Sequence, residues 1–188
     1  MRLDQVRHGD RVLAFYDKFG HPKFQSVIAF TGVFPNEMGA STNLSFDNGG
    51  DLILSPTHLV YAKLGGEEFA DFHMAAKLSI NSTVFFGVNP VRVISTTMGT
   101  HVGWYSPLTD EGTIVVNGVL VSCHTSGPHQ FVRAIYSPLQ LYLKLFPFQT
   151  GTSPDEQEQN VHWYSIGFRR ASVTRFLESL VRPIFFSA

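Results

Sequence analysis

The sequence predicts a mainly β domain that is followed by a helical C-terminal region. One observation is a series of short apolar runs, rich in β-branched and aromatic residues, that extends as far as Cys123. A second is that turn-forming residues separate these runs. A third is a change of pattern after Pro128, where apolar residues recur at helical spacings. With 188 residues, of which 44% are hydrophobic and 15% charged, the chain is long enough to bury a substantial core.

The β region is predicted to consist of many short strands in sequence order. Glycine-rich or Asn-Gly turns such as Asn117-Gly118 separate several of them. The predicted strands are residues 11–16, 26–31, 52–54, 83–88, 91–95, 113–117 and 119–121. Residues 6–13 can be laid over residues 78–85, and residues 26–30 over residues 91–95, as turns that lead into strands. The identity between these segments is poor, so they do not predict a repeat by themselves.

The C-terminal region is predicted to contain helices over residues 131–136, 139–146 and 162–181, with a polar loop at 149–160. In the last helix, four apolar residues share one face: Val173, Phe176, Leu177 and Leu180. This face, with Trp163, Tyr164 and Phe168 nearby, fits two uses. It can contact lipid as an interfacial helix does, or it can pack on the β domain.

Composition and charge exclude several classes of function. A net charge of −1 gives no basic field for phosphate, so we expect no nucleic-acid partner. No apolar run is long enough to span a bilayer, although contact with a membrane surface stays open. The single cysteine, Cys123, excludes an internal disulfide and a cysteine-based zinc cluster, and the eight histidines do not fall at metal-ligand spacings. We therefore expect no metal and no cofactor.

Three segments carry a resemblance to a known family. They are Gly9-Asp-Arg-Val-Leu-Ala, Asp47-Asn-Gly-Gly-Asp-Leu-Ile-Leu-Ser-Pro-Thr-His58, and the run from Gly103-Trp-Tyr-Ser-Pro-Leu-Thr-Asp-Glu-Gly to Cys123. In order and separation they resemble the autoprocessing (Hint) domain of the hedgehog family. The resemblance implies a pseudo-twofold β domain over residues 1–126 and a helical sterol- or adduct-recognition region over residues 127–188. In that second region it implies lipid or adduct contacts by Trp163, Tyr164, Phe168 and Phe176.

The resemblance also implies an activity: self-cleavage of a precursor by an N-terminal cysteine, through a thioester, with transfer of the upstream fragment to a sterol, another acceptor or water. His58 would be the acid-base residue, because imidazole exchanges protons near neutral pH. Ser55, where threonine is usual, would polarise the same peptide. Cys123 matches a second cysteine near the active site. One interpretation is that the Cys123 thiol pairs with the nucleophilic thiol or changes its reactivity. The other is that Cys123 is a buried apolar residue.

Two positions depart from the family pattern. The nucleophilic cysteine and its strand lie well upstream of the Gly-Asp-Arg motif in the family, whereas eight residues precede Gly9 here. We therefore expect this chain alone to be inactive. The leading explanation for the missing cysteine and strand is a partial gene product. Whether the chain acts as an enzyme is undecided at this point. The second departure is Gly32, which stands where the family has the carboxylate that activates the sterol hydroxyl. Hydrolysis or another acceptor therefore becomes the expectation.

Alternatives from other classes stay open. A non-catalytic remnant would bind lipid through the helical region, and replacing Ser55 and His58 would not change that binding. A hydrolase built on Cys123 and His124 is disfavoured because adjacent strand residues point to opposite faces. The first residues lack the apolar segment of a secretory signal, whereas the resemblance implies the secretory pathway. It also implies an upstream precursor domain as partner.

Overall fold

The computed structural model describes residues 1–124, which form a mainly β structure, as predicted. The helices predicted beyond residue 130 lie outside the described residues. The elements in chain order are a 3₁₀ helix at Leu3–Gln5, β1 (Arg11–Tyr16), β2 (Pro22–Ser26), β3 (Ala29–Phe46), β4 (Asp51–Leu54), β5 (Leu59–Lys63), β6 (Asp71–Met74), a 3₁₀ helix at Ala75–Lys77, β7 (Thr83–Phe86), β8 (Asn89–Leu108), β9 (Thr113–Val116) and β10 (Val119–Ser122). No helix in residues 1–124 is long and apolar enough to cross a membrane.

The strands form a hairpin and one larger sheet. β1 pairs with β2, and the larger sheet runs in the order β4-β3-β8-β7-β10-β5-β6, with β9 beside β10. All described pairings are antiparallel. The two long strands, β3 and β8, pair with each other from Ala29↔Leu108 to Phe46↔Val93, with register shifts at three points. They form a long two-stranded ribbon within the larger sheet.

Two segments of the chain repeat the same local structure, 72 residues apart. In the first copy a 3₁₀ helix ends at Gln5, the Arg7 N–H donates to the Asp10 carboxylate, and β1 begins at Arg11. In the second copy a 3₁₀ helix ends at Lys77, the Ser79 N–H donates to the Ser82 hydroxyl, and β7 begins at Thr83.

The backbone contacts beyond each turn are repeated as well. Gly9 N–H donates to the Val27 carbonyl and Val27 N–H to the Asp10 carbonyl; in the second copy Asn81, Val93 and Ser82 make the same two bonds. The alignment of residues 6–13 with 78–85 is thereby confirmed. That of residues 26–30 with 91–95 is wrong by one residue, because Val27 corresponds to Val93 and not to Arg92.

The hydrophobic core is one cluster that both copies fill. Val27, Phe46, Val60, Val84 and Leu108 are among its buried members, and they come from five different parts of the chain. Such a core explains why most predicted strands are observed close to their predicted bounds. Residues 26–31 are the clearest exception. This run is divided between β2 and β3, because the backbone of Val27 bonds to the turn at residues 9–10 instead of continuing a strand.

Candidate functional site

His58 lies in a short turn that the neighbouring 3₁₀ helix holds in place. β4 ends at Leu54, and the turn Ser55-Pro56-Thr57-His58 closes through a bond from the His58 N–H to the Ser55 carbonyl, 3.0 Å. Pro56 fixes one backbone angle at a position where turns favour proline. From outside the turn, Ala75 N–H donates to the His58 carbonyl at 2.8 Å and Ala76 N–H to the Pro56 carbonyl at 3.0 Å. Ser55 and His58 are therefore carried by one anchored turn.

The imidazole of His58 is fixed by the end of β10. Its Nε2 lies 2.7 Å from the backbone carbonyl oxygen of Ser122. A carbonyl only accepts hydrogen bonds, so Nε2 carries the proton and Nδ1 of the neutral ring keeps its lone pair. Burial lowers the pKa of His58, against a smaller opposite effect of the Ser122 carbonyl. At neutral pH the ring is therefore uncharged and ready to accept a proton at Nδ1.

Ser55 brings a second polar group to this turn. Its Oγ is buried, and within residues 1–124 it has no hydrogen-bond partner. A buried hydroxyl without a partner costs about 1–3 kcal/mol. Ser55 Oγ and His58 Nδ1 thus both have unused hydrogen-bonding capacity, and a peptide group placed between them could use it, since it carries one donor and one acceptor.

Cys123 lies next to the carbonyl that holds His58. The residue is buried, its N–H donates to the Gly112 carbonyl at 2.8 Å, and its Sγ is 3.7 Å from Oγ1 of Thr109. Burial raises the pKa of the Cys123 thiol to about 11, although contacts with Thr109 oppose this. The thiol is therefore protonated at neutral pH, and a hydrolase based on Cys123 and His124 has no thiolate to attack with.

Gly32, which the sequence resemblance aligns with a family carboxylate, is covered by an aromatic ring. Gly32 pairs with Ser106 across the ribbon, and a Cβ added to it would lie 2.8 Å from Cε2 of Phe34. The ring of Phe34 therefore occupies the space that a side chain at position 32 would need. The next acid along the chain, Glu37, is exposed.

Asp110 and Glu111 lie in a turn whose contacts hold the strands together. It joins β8 to β9, Gly112 N–H donates to the Thr109 carbonyl at 3.1 Å, and Glu111 N–H donates to Oε1 of Gln25 at 3.0 Å. Thr109 ties this turn together, because its hydroxyl donates to the Thr113 carbonyl at 2.8 Å.

The structure thus places Ser55 and His58 in one turn and joins the His58 ring to the carbonyl of Ser122, the residue that precedes Cys123. Sequence reasoning missed the Ser122 carbonyl and Thr109. A backbone carbonyl has no signature of its own in a sequence, although both residues lie inside the motif that ends at Cys123. The predicted lipid- or adduct-binding residues Trp163, Tyr164, Phe168 and Phe176 lie outside the described residues. Within residues 1–124 no three His, Cys, Asp or Glu side chains are grouped so that they could hold a metal ion.

Comparison with known proteins agrees with this arrangement. A sequence profile of the Hint module family matches residues 1–173. The Indian hedgehog protein of Xenopus laevis is 31% identical over 174 residues, which cover 87% of this chain and 41% of that protein. The hedgehog protein of Drosophila persimilis is 27% identical over 182 residues, covering 87% of this chain and 38% of that protein. The chain thus spans about two fifths of the length of these relatives.

A solved structure shows the same fold. A crystal structure of a gp41-1 intein variant superposes with a TM-score of 0.50, at 14% sequence identity, and covers 65% of this chain and 87% of the intein. At that identity the likeness concerns the fold alone. The profile match over most of the chain leads to one conclusion: the chain belongs to the Hint module family, and within that family its sequence is similar to hedgehog proteins.

Proposed function

We propose that the chain is the autoprocessing part of a hedgehog-like precursor, in which it promotes cleavage of the peptide bond at the N-terminal side of a cysteine. The observation that carries this proposal is the pairing of His58 with the Ser122 carbonyl, which leaves Nδ1 unprotonated on the same turn that carries the unpartnered Ser55 hydroxyl. The precursor domain joined to this cysteine is the partner that the reaction requires, and passage through the secretory pathway is part of the proposal.

The first step is an exchange of an amide for a thioester. The cysteine thiol gives its proton to Nδ1 of His58, and its sulfur attacks the carbonyl carbon of the preceding residue. The C–N bond then breaks, and the protonated His58 returns the proton to the leaving amine nitrogen. Ser55 stabilises the peptide oxygen by a hydrogen bond as negative charge develops on it. Atoms balance, and the ring ends the step in its starting state.

Cys123 does not serve as the nucleophile in this proposal. It is buried and its thiol is protonated, with a pKa of about 11. It also lies at the end of β10, so no scissile bond at the start of the domain is attached to it. We therefore propose that the 188-residue chain, taken alone, does not cleave, and that a cysteine-led segment joined ahead of it restores the reaction.

The second step transfers the acyl group to an acceptor, and we propose water or a small nucleophile rather than a sterol. A sterol hydroxyl needs a base to remove its proton, whereas Gly32 offers none and the ring of Phe34 covers it. Water and small thiols reach a thioester without a dedicated sterol site.

The test is a fusion of a small reporter protein, a cysteine-led segment of the hedgehog type, and the 188-residue chain. We expect release of the reporter when dithiothreitol is added, with the dithiothreitol adduct identified by mass spectrometry. Without added thiol we expect slow hydrolysis that sterol-containing micelles do not accelerate. A fusion that stays intact under dithiothreitol contradicts the proposed function, and a sterol-linked product contradicts the proposed acceptor.

A further inference from the structure

The middle of the β3–β8 ribbon exposes an apolar face that no other described element covers. Met38 pairs with Val102, Ala40 with Thr100 and Thr42 with Met98, so these alternate residues share one face of the ribbon. Met38 is 71% exposed, Met98 63% and Val102 54%. We call the surface formed by Met38, Ala40, Met98, Thr100 and Val102 the ribbon face. Soluble proteins seldom leave several large apolar side chains exposed side by side without a partner.

The ribbon also carries very few charged side chains, which is unusual for exposed strands. β8 has no Lys, Arg, Asp or Glu from Val93 to its end at Leu108, and β3 has only Glu37, which is exposed and lies in the register shift that ends at Met38, at the edge of the ribbon face. Edge and ribbon strands are ordinarily protected against unwanted pairing by charged side chains. A partner for the ribbon face should therefore be apolar and carry positive charge.

The chain itself contains such a segment. Residues 131–148, Phe-Val-Arg-Ala-Ile-Tyr-Ser-Pro-Leu-Gln-Leu-Tyr-Leu-Lys-Leu-Phe-Pro-Phe, are mostly apolar, and their only charged residues are Arg133 and Lys144. We propose that residues 131–148 dock on the ribbon face of the same molecule, with one of these two basic side chains beside Glu37. This proposal does not depend on the self-cleavage activity.

The position at which the chain leaves β10 makes the contact reachable. Cys123 touches Thr109, which follows the last residue of β8, so residue 124 lies beside that end of the ribbon. Val102 is six residues back along β8, which is about 20 Å at a rise of about 3.3 Å per residue. Residues 125–130 form a connection of six residues, and six extended residues span about 20 Å. The connection is therefore just long enough to place Phe131 at Val102.

A second copy of the chain fits the ribbon face less well. Two ribbon faces brought together would bring two Glu37 carboxylates close to the interface and no lysine or arginine, because the ribbon has neither between Ala29 and Phe46 or between Val93 and Leu108. Its one imidazole, His101, alternates with Val102 and lies on the other face. Like charges at an interface oppose association.

The experiment is amide hydrogen exchange, read by mass spectrometry, on the full 188-residue protein and two single variants. Val102→Lys places a charge on the ribbon face. Val88→Lys makes the same change at a site that is 55% exposed, in the β7–β8 turn away from the ribbon face. We expect protection of residues 131–148 in the unmodified protein and in Val88→Lys. In Val102→Lys we expect exchange there to be about tenfold faster or more.

Two further variants show whether faster exchange comes from the ribbon face or from a loss of folding. Met38→Lys should repeat the effect of Val102→Lys, and Glu37→Lys should accelerate exchange of 131–148 severalfold by removing the only acid. Unchanged protection of the amides of β10 shows in each case that the domain is folded.

Four outcomes overturn the proposal. They are free exchange of residues 131–148 in the unmodified protein, protection that Val102→Lys leaves unchanged, protection that appears only at concentrations where sedimentation shows a dimer, and protection of the ribbon only when phospholipid vesicles are added. The last two would assign the ribbon face to a second copy or to a lipid surface.

Discussion

At His58 two effects act on the pKa in opposite directions, and the larger one decides the protonation state. Burial disfavours the imidazolium, whereas the Ser122 carbonyl favours a protonated Nε2. Because burial is the larger effect, the ring is neutral at pH 7 and its Nδ1 is a base. A proton acceptor with a lone pair that no described residue engages is what the first step of the proposed reaction requires.

The first prediction concerns the titration of this ring. In the folded protein we expect the pKa of His58 to lie below the value of about 6.5 for an unperturbed histidine. Between the two values the unfolded chain binds more protons than the folded one, so stability is complete above pH of about 6.5 and is lost as the pH falls through the folded pKa. The measurement is an NMR titration of the ring protons, together with urea unfolding at several pH values. In His58→Gln the His58 contribution to this pH dependence should vanish, and an unchanged pH dependence would contradict the assignment.

The second prediction concerns the Cys123 thiol. Because it is buried and has a pKa of about 11, it should react with iodoacetamide at pH 8 far more slowly in the folded protein than after denaturation. The ratio of the two rates, followed by mass spectrometry, measures the protection. Equal rates would show that the thiol is accessible, and the hydrolase alternative would then regain support.

At the scale of the elements, one aromatic side chain explains the glycines of two turns. The ring of Phe86, at the end of β7, packs edge-on against Phe46, with centroids 5.6 Å apart. A Cβ added at Gly50 would lie 2.7 Å from this ring, and one added at Gly118 would lie 2.5 Å from it. The Asn-Gly-Gly and Asn-Gly sequences therefore provide the surface on which Phe86 rests, in addition to the turn conformation.

The third prediction follows from this packing. Gly118 has a φ of +85°, so Gly118→Ala combines backbone strain with a clash against Phe86 and should lower the free energy of unfolding by about 2–4 kcal/mol. Gly66→Ala is the matched control. Gly66 has a φ of +89° and open space around its Cβ position, so we expect a loss of about 1–2 kcal/mol from strain alone. Denaturant unfolding measures the free energy of unfolding of both variants. Equal losses would show that the Phe86 ring moves aside without lowering stability.

The elements also show how far local sequence can predict this fold. The apolar runs of β1, β7 and β10 were found in place, because β1 and β10 bury alternate side chains in the core and β7 buries Val84 there. The full lengths of β3 and β8 were not predicted, because their middle parts have only scattered large apolar residues among small and polar ones, and their strand conformation comes from pairing with each other. β6 was missed for a similar reason, since it is a short edge strand with no fully buried residue.

At the scale of the whole molecule, the site joins two chain segments, each of which follows one copy of the 72-residue repeat. His58 belongs to the turn that precedes β5, after the first copy, and Ser122 ends β10, after the second copy. The motifs predicted Ser55, His58 and Cys123 as site residues because each is a side chain in a recognisable pattern. The contact that joins them involves a backbone carbonyl 64 residues away from His58. Only the long-range pairing of β5 with β10 brings it there.

The most direct measurement of the central claim is the rate of thiol-induced cleavage of the reporter fusion with His58→Ala and with Thr57→Ala. Thr57 is exposed and lies in the same turn, so its variant controls for damage to the turn. We predict that His58→Ala lowers the rate about 100-fold or more, because general acid-base catalysis typically contributes that much, whereas Thr57→Ala cleaves at the unmodified rate. Equal rates for the two variants would contradict the assignment of His58 as the acid-base residue of a self-cleaving domain.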